Sequence, residues 1–237
     1  MNIFAIGDIH GCLTELVSIH NKIFNYEKYK KEEDLLIYLG DYIDRGPKSK
    51  QVIDQILNLK NEEIKTVFLM GNHEEMVIDF LFNKINNLNN WLNYGADQTF
   101  KSYDIEVVEF IKDGFEDHII DKLREVFIKK LGNEHLNFFN NLQLTCSVAQ
   151  YLFVHAGIDP KKNLKDQSKQ DYLWARSNDF FHKDFKAEKI IVHGHTPEKD
   201  VVNFPYRINI DTGCYFSGKL SCVCLNDLTE ERHFINT

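Results

Sequence analysis

Along the first 85 residues, short apolar runs that end in glycine and a polar residue alternate with stretches whose apolar positions recur at helical spacing. Residues 3–6, 35–39 and 66–70 have the length and β-branched content of strands. Leu13, Leu16, Val17, Ile19 and Ile23 mark the buried face of a helix over 12–24. Val52, Ile53, Ile56 and Leu57 do the same for a second helix, which Pro47 introduces. Met76, Val77, Phe80 and Leu81 belong to a third. Three successive βα units predict an α/β protein, with a polar cluster after each strand, on the sheet edge where open α/β sheets bind ligands.

Residues 86–141 break the pattern. They are rich in Asn and amphipathic stretches such as 119–131, which predicts a helical insert or cap within one domain spanning 1–237. Strands are expected again at 142–147, 151–155, 190–193, 207–210 and 220–225. The first two are close enough for a hairpin around Val148-Ala149-Gln150, so this half is expected to be more antiparallel. Between them, 159–187 reads as loop with one short helix.

Charge narrows the class. The chain has 237 residues, with 28 Lys and Arg against 36 Asp and Glu, a formal charge of −8. Non-specific nucleic-acid affinity needs a basic face, so no nucleic-acid partner is expected. No basic start and apolar run precede Gly7-Asp8, and no window reaches the roughly 18 to 20 apolar residues of a membrane span, so a soluble cytoplasmic protein without a membrane partner is expected. Five cysteines without framework spacing fit reduced thiols, and Cys222 and Cys224 alternate along a strand as packing residues would. Oligomeric state leaves no trace in the sequence.

The strand-end clusters carry the chemistry: Asp8-Ile9-His10, Asp41-Tyr42-Ile43-Asp44-Arg45, Asn72-His73-Glu74, His155 and His193-Gly194-His195, each bordered by glycine. Carboxylate, imidazole and carboxamide donors on one sheet edge suit Mn²⁺, Fe²⁺ or Zn²⁺ without thiolate, and there are more donors than one ion needs.

Five segments in order, Gly7-Asp8-Ile9-His10-Gly11, Gly40-Asp41-Tyr42-Ile43-Asp44-Arg45-Gly46, Gly71-Asn72-His73-Glu74, His155-Ala156-Gly157 and Gly194-His195-Thr196-Pro197, resemble the PPP phosphoprotein phosphatases. These belong to the calcineurin-like metallophosphoesterases, and the likeness is to their compact bacterial and phage members. Trp174-Ala175-Arg176 and Ile210-Asp211-Thr212-Gly213 extend it. It implies a four-layer sandwich of two mixed β-sheets flanked by helices. It also implies that Asp8, His10 and Asp41 hold one divalent ion, with Asp41 bridging to a second that takes Asn72, His155 and His195. Mn²⁺ is the expected ion, with Fe²⁺, Zn²⁺ and Ni²⁺ as alternatives. A two-metal activated hydroxide would attack phosphorus, with His73 protonating the leaving oxygen, Asp44 orienting His73, and Arg45 and Arg176 binding phosphoryl oxygens.

Outside this set, His193 and Asp211 read as supporting or structural residues, Glu74 and Glu75 as complements to a helix dipole, and Tyr42 as a cover for the sheet edge. Cys12 reads as packing near the site. His20, His118, His135, His182 and His233 read as surface or partly buried histidines, and Phe138, Phe139, Phe180, Phe181 and Phe185 as core. Relatives that cleave diadenosine tetraphosphate symmetrically tend to lack the aspartate at Asp44 and to carry Asp at Glu74. The resemblance therefore favours a serine/threonine protein phosphatase acting on phosphorylated protein or small phosphoesters. The alternatives are a bis(5'-nucleosyl)-tetraphosphatase on the same site and a catalytically silent binding module.

Overall fold

The computed structural model describes residues 1–61, 64–83, 85–112, 114–176 and 188–237. His182, Phe180, Phe181 and Phe185 lie outside them. The first three strands, β1 (Asn2–Ile6), β2 (Leu35–Tyr38) and β3 (Thr66–Phe68), each lead into a helix, α1 (Leu13–Phe24), α2 (Ser49–Asn61) and α3 (Asn72–Leu81). Parallel pairing sets Ile3 opposite Leu35 and Leu36 opposite Thr66, so the three strands end together.

Four helices follow: α4 (Leu88–Leu92), α5 (Ala96–Ser102), α6 (Val107–Ile111) and α7 (Asp117–Asn140). The last bends at Gly132, whose φ of 65° interrupts the helical backbone. The remaining strands are β4 (Thr145–Val148), β5 (Tyr151–Val154), β6 (Ile190–His193), β7 (Val202–Phe204), β8 (Arg207–Asn209), β9 (Ser221–Asn226) and β10 (Arg232–Asn236), with α8 (Lys169–Trp174) and α9 (Cys214–Ser217) among them.

Among the described residues, ten strands form two five-stranded sheets, ordered β10-β9-β1-β2-β3 and β4-β5-β6-β8-β7. The expected hairpin joins β4 to β5, with Val148 opposite Tyr151. The second sheet is less antiparallel than the sequence suggests, because β5, β6 and β8 pair in parallel and only its outer strands reverse. Strands β7 and β10 carry no apolar alternation strong enough to predict them; Val202–Phe204 is half-buried or exposed throughout.

Side-chain alternation makes the layers. Ile3, Ala5, Ile37, Leu39, Val223 and Leu225 point toward Tyr151, Phe153, Val192 and Ile208, so the two sheets bury one shared core. Their neighbours Phe4, Ile6, Leu36, Tyr38, Cys222 and Cys224 point the opposite way, onto the helices. Leu152, Val154 and Ile191 pack the second sheet against Tyr172 of α8. The result is two mixed sheets flanked by helices. Trp91, Phe100, Phe127 and Phe139 of the 86–141 segment lie in the same core cluster as α1, α2 and α3. No described helix is long and apolar enough to cross a membrane.

Candidate active site

The carboxyl ends of strands from both sheets meet at one edge. Asp8 and His10 follow β1, Asp41 follows β2, Asn72 and His73 open α3, His155 follows β5 and His195 follows β6. The residues that the resemblance names as ligands all lie at this edge, with Asp8 outside the two groups of donors that lie within 4.8 Å of one another. The pocket, about 200 Å³, is lined by His10, Asp41, Asn72, His73 and His195, and also by Arg45 and Arg176.

The backbone bends sharply to present these groups. His10 (φ 46°), Asp41 (53°), Asp44 (70°), Arg45 (65°) and His195 (66°) all adopt the left-handed conformation that side chains other than glycine avoid. Five such residues at one site imply strain that the surrounding fold must hold. One holder is Glu74. Its carboxylate accepts from the backbone N–H groups of Gly71 (2.9 Å), Asp41 (2.8 Å) and Tyr42 (2.9 Å), clamping the β2 turn to the start of α3. Glu74 is fully buried, so it does far more than complement a helix dipole. Burial and the charge of Asp41 push its carboxyl up to about 8. Glycine is required at Gly194, where a Cβ would sit 2.0 Å from Oδ1 of Asp8.

Lone pairs converge at the centre. Nδ1 of His10 lies 2.9 Å from the Ile43 carbonyl and Nδ1 of His155 lies 2.9 Å from the Leu39 carbonyl. Carbonyls only accept, so both rings donate from Nδ1 and the neutral imidazoles aim Nε2 lone pairs inward. Burial drives His10 down to about 3 and lowers His155 as well, which keeps both neutral. Their lone pairs face oxygen atoms: Nε2 of His10 is 3.4 Å from Asp41, and Nε2 of His155 is 3.4 Å from Asp41 and 2.9 Å from Oδ1 of Asn72. His195 approaches the same Asn72 oxygen through Nδ1 at 2.8 Å. Oδ1 of Asp8 and Nε2 of His195 are buried with no hydrogen-bond partner among the described residues.

Acceptors converging on acceptors in a buried space are stable only around a cation, and the oxygen and imidazole donors suit a borderline or hard divalent ion. Asp41 belongs to two donor groups, one with His10 and His73 and one with His155 and His195. Burial opposes ionisation of Asp41, but His155, His73, His10 and His195 outweigh it and hold the carboxyl well below the usual range. Asp8 moves the other way, pushed up by burial and by Asp211 and Asp41. A bound cation would relieve that repulsion.

Beside this centre, Nδ1 of His73 lies 2.6 Å from Oδ2 of Asp44. The same carboxylate accepts from Trp91 Nε1 (2.7 Å) and Thr99 Oγ1 (2.5 Å), so three donors fix it. Burial opposes protonation of His73, yet Asp41 and Asp44 together raise its pKa above the ordinary value. Sequence reasoning gave Trp91 and Thr99 no role at this carboxylate, because both lie in the 86–141 segment that reads as a helical insert away from the strand-end clusters. It also missed Tyr215, whose hydroxyl accepts from Arg45 at 2.5 Å while the guanidinium lies 4.6 Å over its ring.

The supporting residues also find places. His193 is buried, with Nδ1 2.9 Å from the Gly194 carbonyl. Asp211 accepts from the Gly213 N–H at 2.8 Å and lines the pocket, and burial pushes it up to about 7. Glu75 accepts from Trp174 Nε1 at 2.7 Å. Tyr42 is buried, donating to the Leu69 carbonyl at 2.9 Å, and Phe138 and Phe139 are core. His20 and His135 are buried, not surface, and bond to Tyr38 (2.9 Å) and Tyr103 (2.7 Å).

Two stacked sheets with this histidine and carboxylate edge define a metallophosphoesterase. Residues 1–228 match the family of calcineurin-like phosphoesterases, and the chain belongs to it. It is 28% identical over 239 residues to the asymmetrical bis(5'-nucleosyl)-tetraphosphatase PrpE of Anoxybacillus flavithermus, covering 92% of this chain and 88% of that one. The fold is similar to that of a putative diadenosine tetraphosphatase, with TM-score 0.64, 16% identity and coverage of 99% and 93% of the two chains. It is also similar to that of a protein serine/threonine phosphatase from Saccharomyces cerevisiae, with TM-score 0.60, 16% identity and coverage of 100% and 79%.

Proposed function

We propose that this phosphoesterase hydrolyses dinucleoside polyphosphates asymmetrically, so that a dinucleoside tetraphosphate yields a nucleoside triphosphate and a monophosphate. The observation that carries the reading is similarity over nine-tenths of both chains to a relative named for that activity. Asp44 and Glu74 speak against symmetrical cleavage and leave asymmetrical cleavage open. The pocket supports a nucleotide, since Tyr94, Trp174 and Tyr215 wall it beside Arg45 and Arg176.

Asp8, His10 and Asp41 would hold one divalent ion, and Asp41, Asn72, His155 and His195 a second. Such ions supply Lewis-acid polarisation of the phosphoryl group and an acidified water as nucleophile. The chain's own residues do the rest. Arg45 and Arg176 orient the phosphoryl oxygens in line, as planar forks suit. His73, whose pKa Asp41 and Asp44 raise and whose ring Asp44 fixes, would carry a proton for the leaving oxygen. The intact acid, orienting carboxylate and arginines argue against a silent binding module.

A second reading, hydrolysis of phosphoserine or phosphothreonine, is favoured by the His73–Asp44 pair, because a serine alkoxide needs a proton far more than a nucleotide phosphate does. With Mn²⁺, diadenosine tetraphosphate, a phosphoserine peptide and p-nitrophenyl phosphate are compared by kcat/KM, and the dinucleotide products are separated by anion exchange. ATP with AMP, formed faster than peptide phosphate is released, is expected. Two ADP, or preferential peptide turnover, would overturn the proposal.

A further inference from the structure

Next to the phosphoesterase centre, a second group of donors has a different chemistry. Cys12 precedes α1, Glu15 lies in its first turn and Cys214 opens α9; one donor atom from each lies within 4.8 Å of the others. The Cys12 thiol donates to the His10 carbonyl at 3.5 Å. Both cysteines are free, Cys214 is 2% exposed, and Cys12 is half-buried, leaving a route from solvent. None of the three is a donor in either histidine-carboxylate group.

We propose that Cys12, Glu15 and Cys214 bind a thiophilic divalent cation of the Zn²⁺ class, as a site separate from the one that acts on phosphorus. A tetrahedral zinc with bonds of about 2.3 Å to sulfur and about 2.1 Å to oxygen spaces its donors about 3.6–3.8 Å apart. The observed group contracts to that spacing by side-chain movements of about an ångström. Two sulfur donors select soft ions, whereas the neighbouring oxygen and imidazole set accepts Mn²⁺, so the two sites sort metals by ligand softness.

The site has a structural consequence. Cys12 is two residues beyond His10, and Cys214 precedes Tyr215, which holds Arg45. An ion there would tie the first strand's loop to the short helix α9, and so fix the arginine that faces substrate.

Thiolate ligation has its own signature. Reduced, chelator-stripped protein is first saturated with Mn²⁺ and then titrated with Cd²⁺, following the thiolate-to-cadmium charge-transfer absorbance in the ultraviolet. A band saturating near about one equivalent is expected. It should persist in Cys146→Ser, disappear in Cys12→Ser, whose half-exposed position tolerates the change, and disappear in Cys12→Ser/Cys214→Ser. Glu15→Gln should weaken cadmium binding about tenfold, as loss of one of three protein ligands would. No band in the parent protein overturns the proposal. So does an unchanged band in a folded Cys12→Ser variant, or loss of two titratable thiols to a disulfide before metal is added.

Discussion

His73 can be tested against two roles, because it lies 3.8 Å from Asp41 as well as 2.6 Å from Asp44. As a proton donor it matters most where the leaving group is most basic. His73→Asn should therefore lower phosphoserine turnover about 10²–10⁴-fold, with a smaller loss for diadenosine tetraphosphate, whose leaving group is a phosphate. Bound metal, measured by atomic emission, should remain near the parent value. Loss of metal in that variant would make His73 a ligand. The candidate ligand residues were legible in the sequence because each stands in a strand-end motif, but the geometry that aims them at one centre was not. That geometry is the lone-pair direction set by the Leu39 and Ile43 carbonyls, and backbone carbonyls carry no residue signature. Glu74 was misleading for the same reason, since its partners are backbone N–H groups brought close only by folding.

At the level of elements, the 86–141 segment is hydrogen-bonded to Asp44 of the candidate site. Trp91 of α4 and Thr99 of α5 both donate to Asp44, and Tyr94 between them meets the His73 ring at 5.8 Å. Trp91→Phe keeps most of the packing and removes one donor to a buried carboxylate, a loss of about 1.5–3 kcal/mol where the acceptor is charged. Turnover of phosphoserine should fall about tenfold or more, with KM little changed, and Trp91→Phe should add little further loss in an Asp44→Asn background. Additive losses in that double-variant cycle would separate Trp91 from the His73–Asp44 pair. A second prediction concerns the docking of α1 on β2, where the Tyr38 hydroxyl of the strand is hydrogen-bonded to Nε2 of His20 of the helix at 2.9 Å. Burial drives His20 from 6.5 down to about 4, so between these values the unfolded chain binds a proton that the folded chain does not. Stability should fall as pH drops through this window, by at most about 3 kcal/mol, and His20→Gln should flatten that dependence in urea melts. The sequence read His20 as a surface or partly buried histidine, because its partner Tyr38 is on another element, which the periodicity of α1 alone does not supply.

For the whole molecule, the decisive feature is that the candidate metal centre is made by both sheets. Asp8, His10, Asp41 and Asn72 come from the first sheet and its connections, His155 and His195 from the second, and Asp41 stands in both donor groups. The sequence showed the strands that carry these residues and their polar ends, but the parallel pairing of β5, β6 and β8 depends on which strands become neighbours, a tertiary choice that local alternation does not encode. That pairing is what lets the ends of β5 and β6 face the same way and deliver two histidines to one edge. Ligands drawn from both sheets make metal binding a part of folding stability. Ions that bind only the folded chain stabilise it by about 2.7 kcal/mol each at a free concentration one hundred times Kd. Removing them with a chelator should therefore lower Tm by several degrees, and should do so in one transition, since the sheets share the core of Ile3, Ile37, Phe153 and Ile208. Asp41→Asn should weaken both ions at once, as measured by calorimetric Mn²⁺ titration, and should lose most of the metal-dependent rise in Tm. Retention of one full-affinity ion would show that Asp41 serves a single centre, whereas two separate melting transitions on chelation would show that the sheets unfold independently.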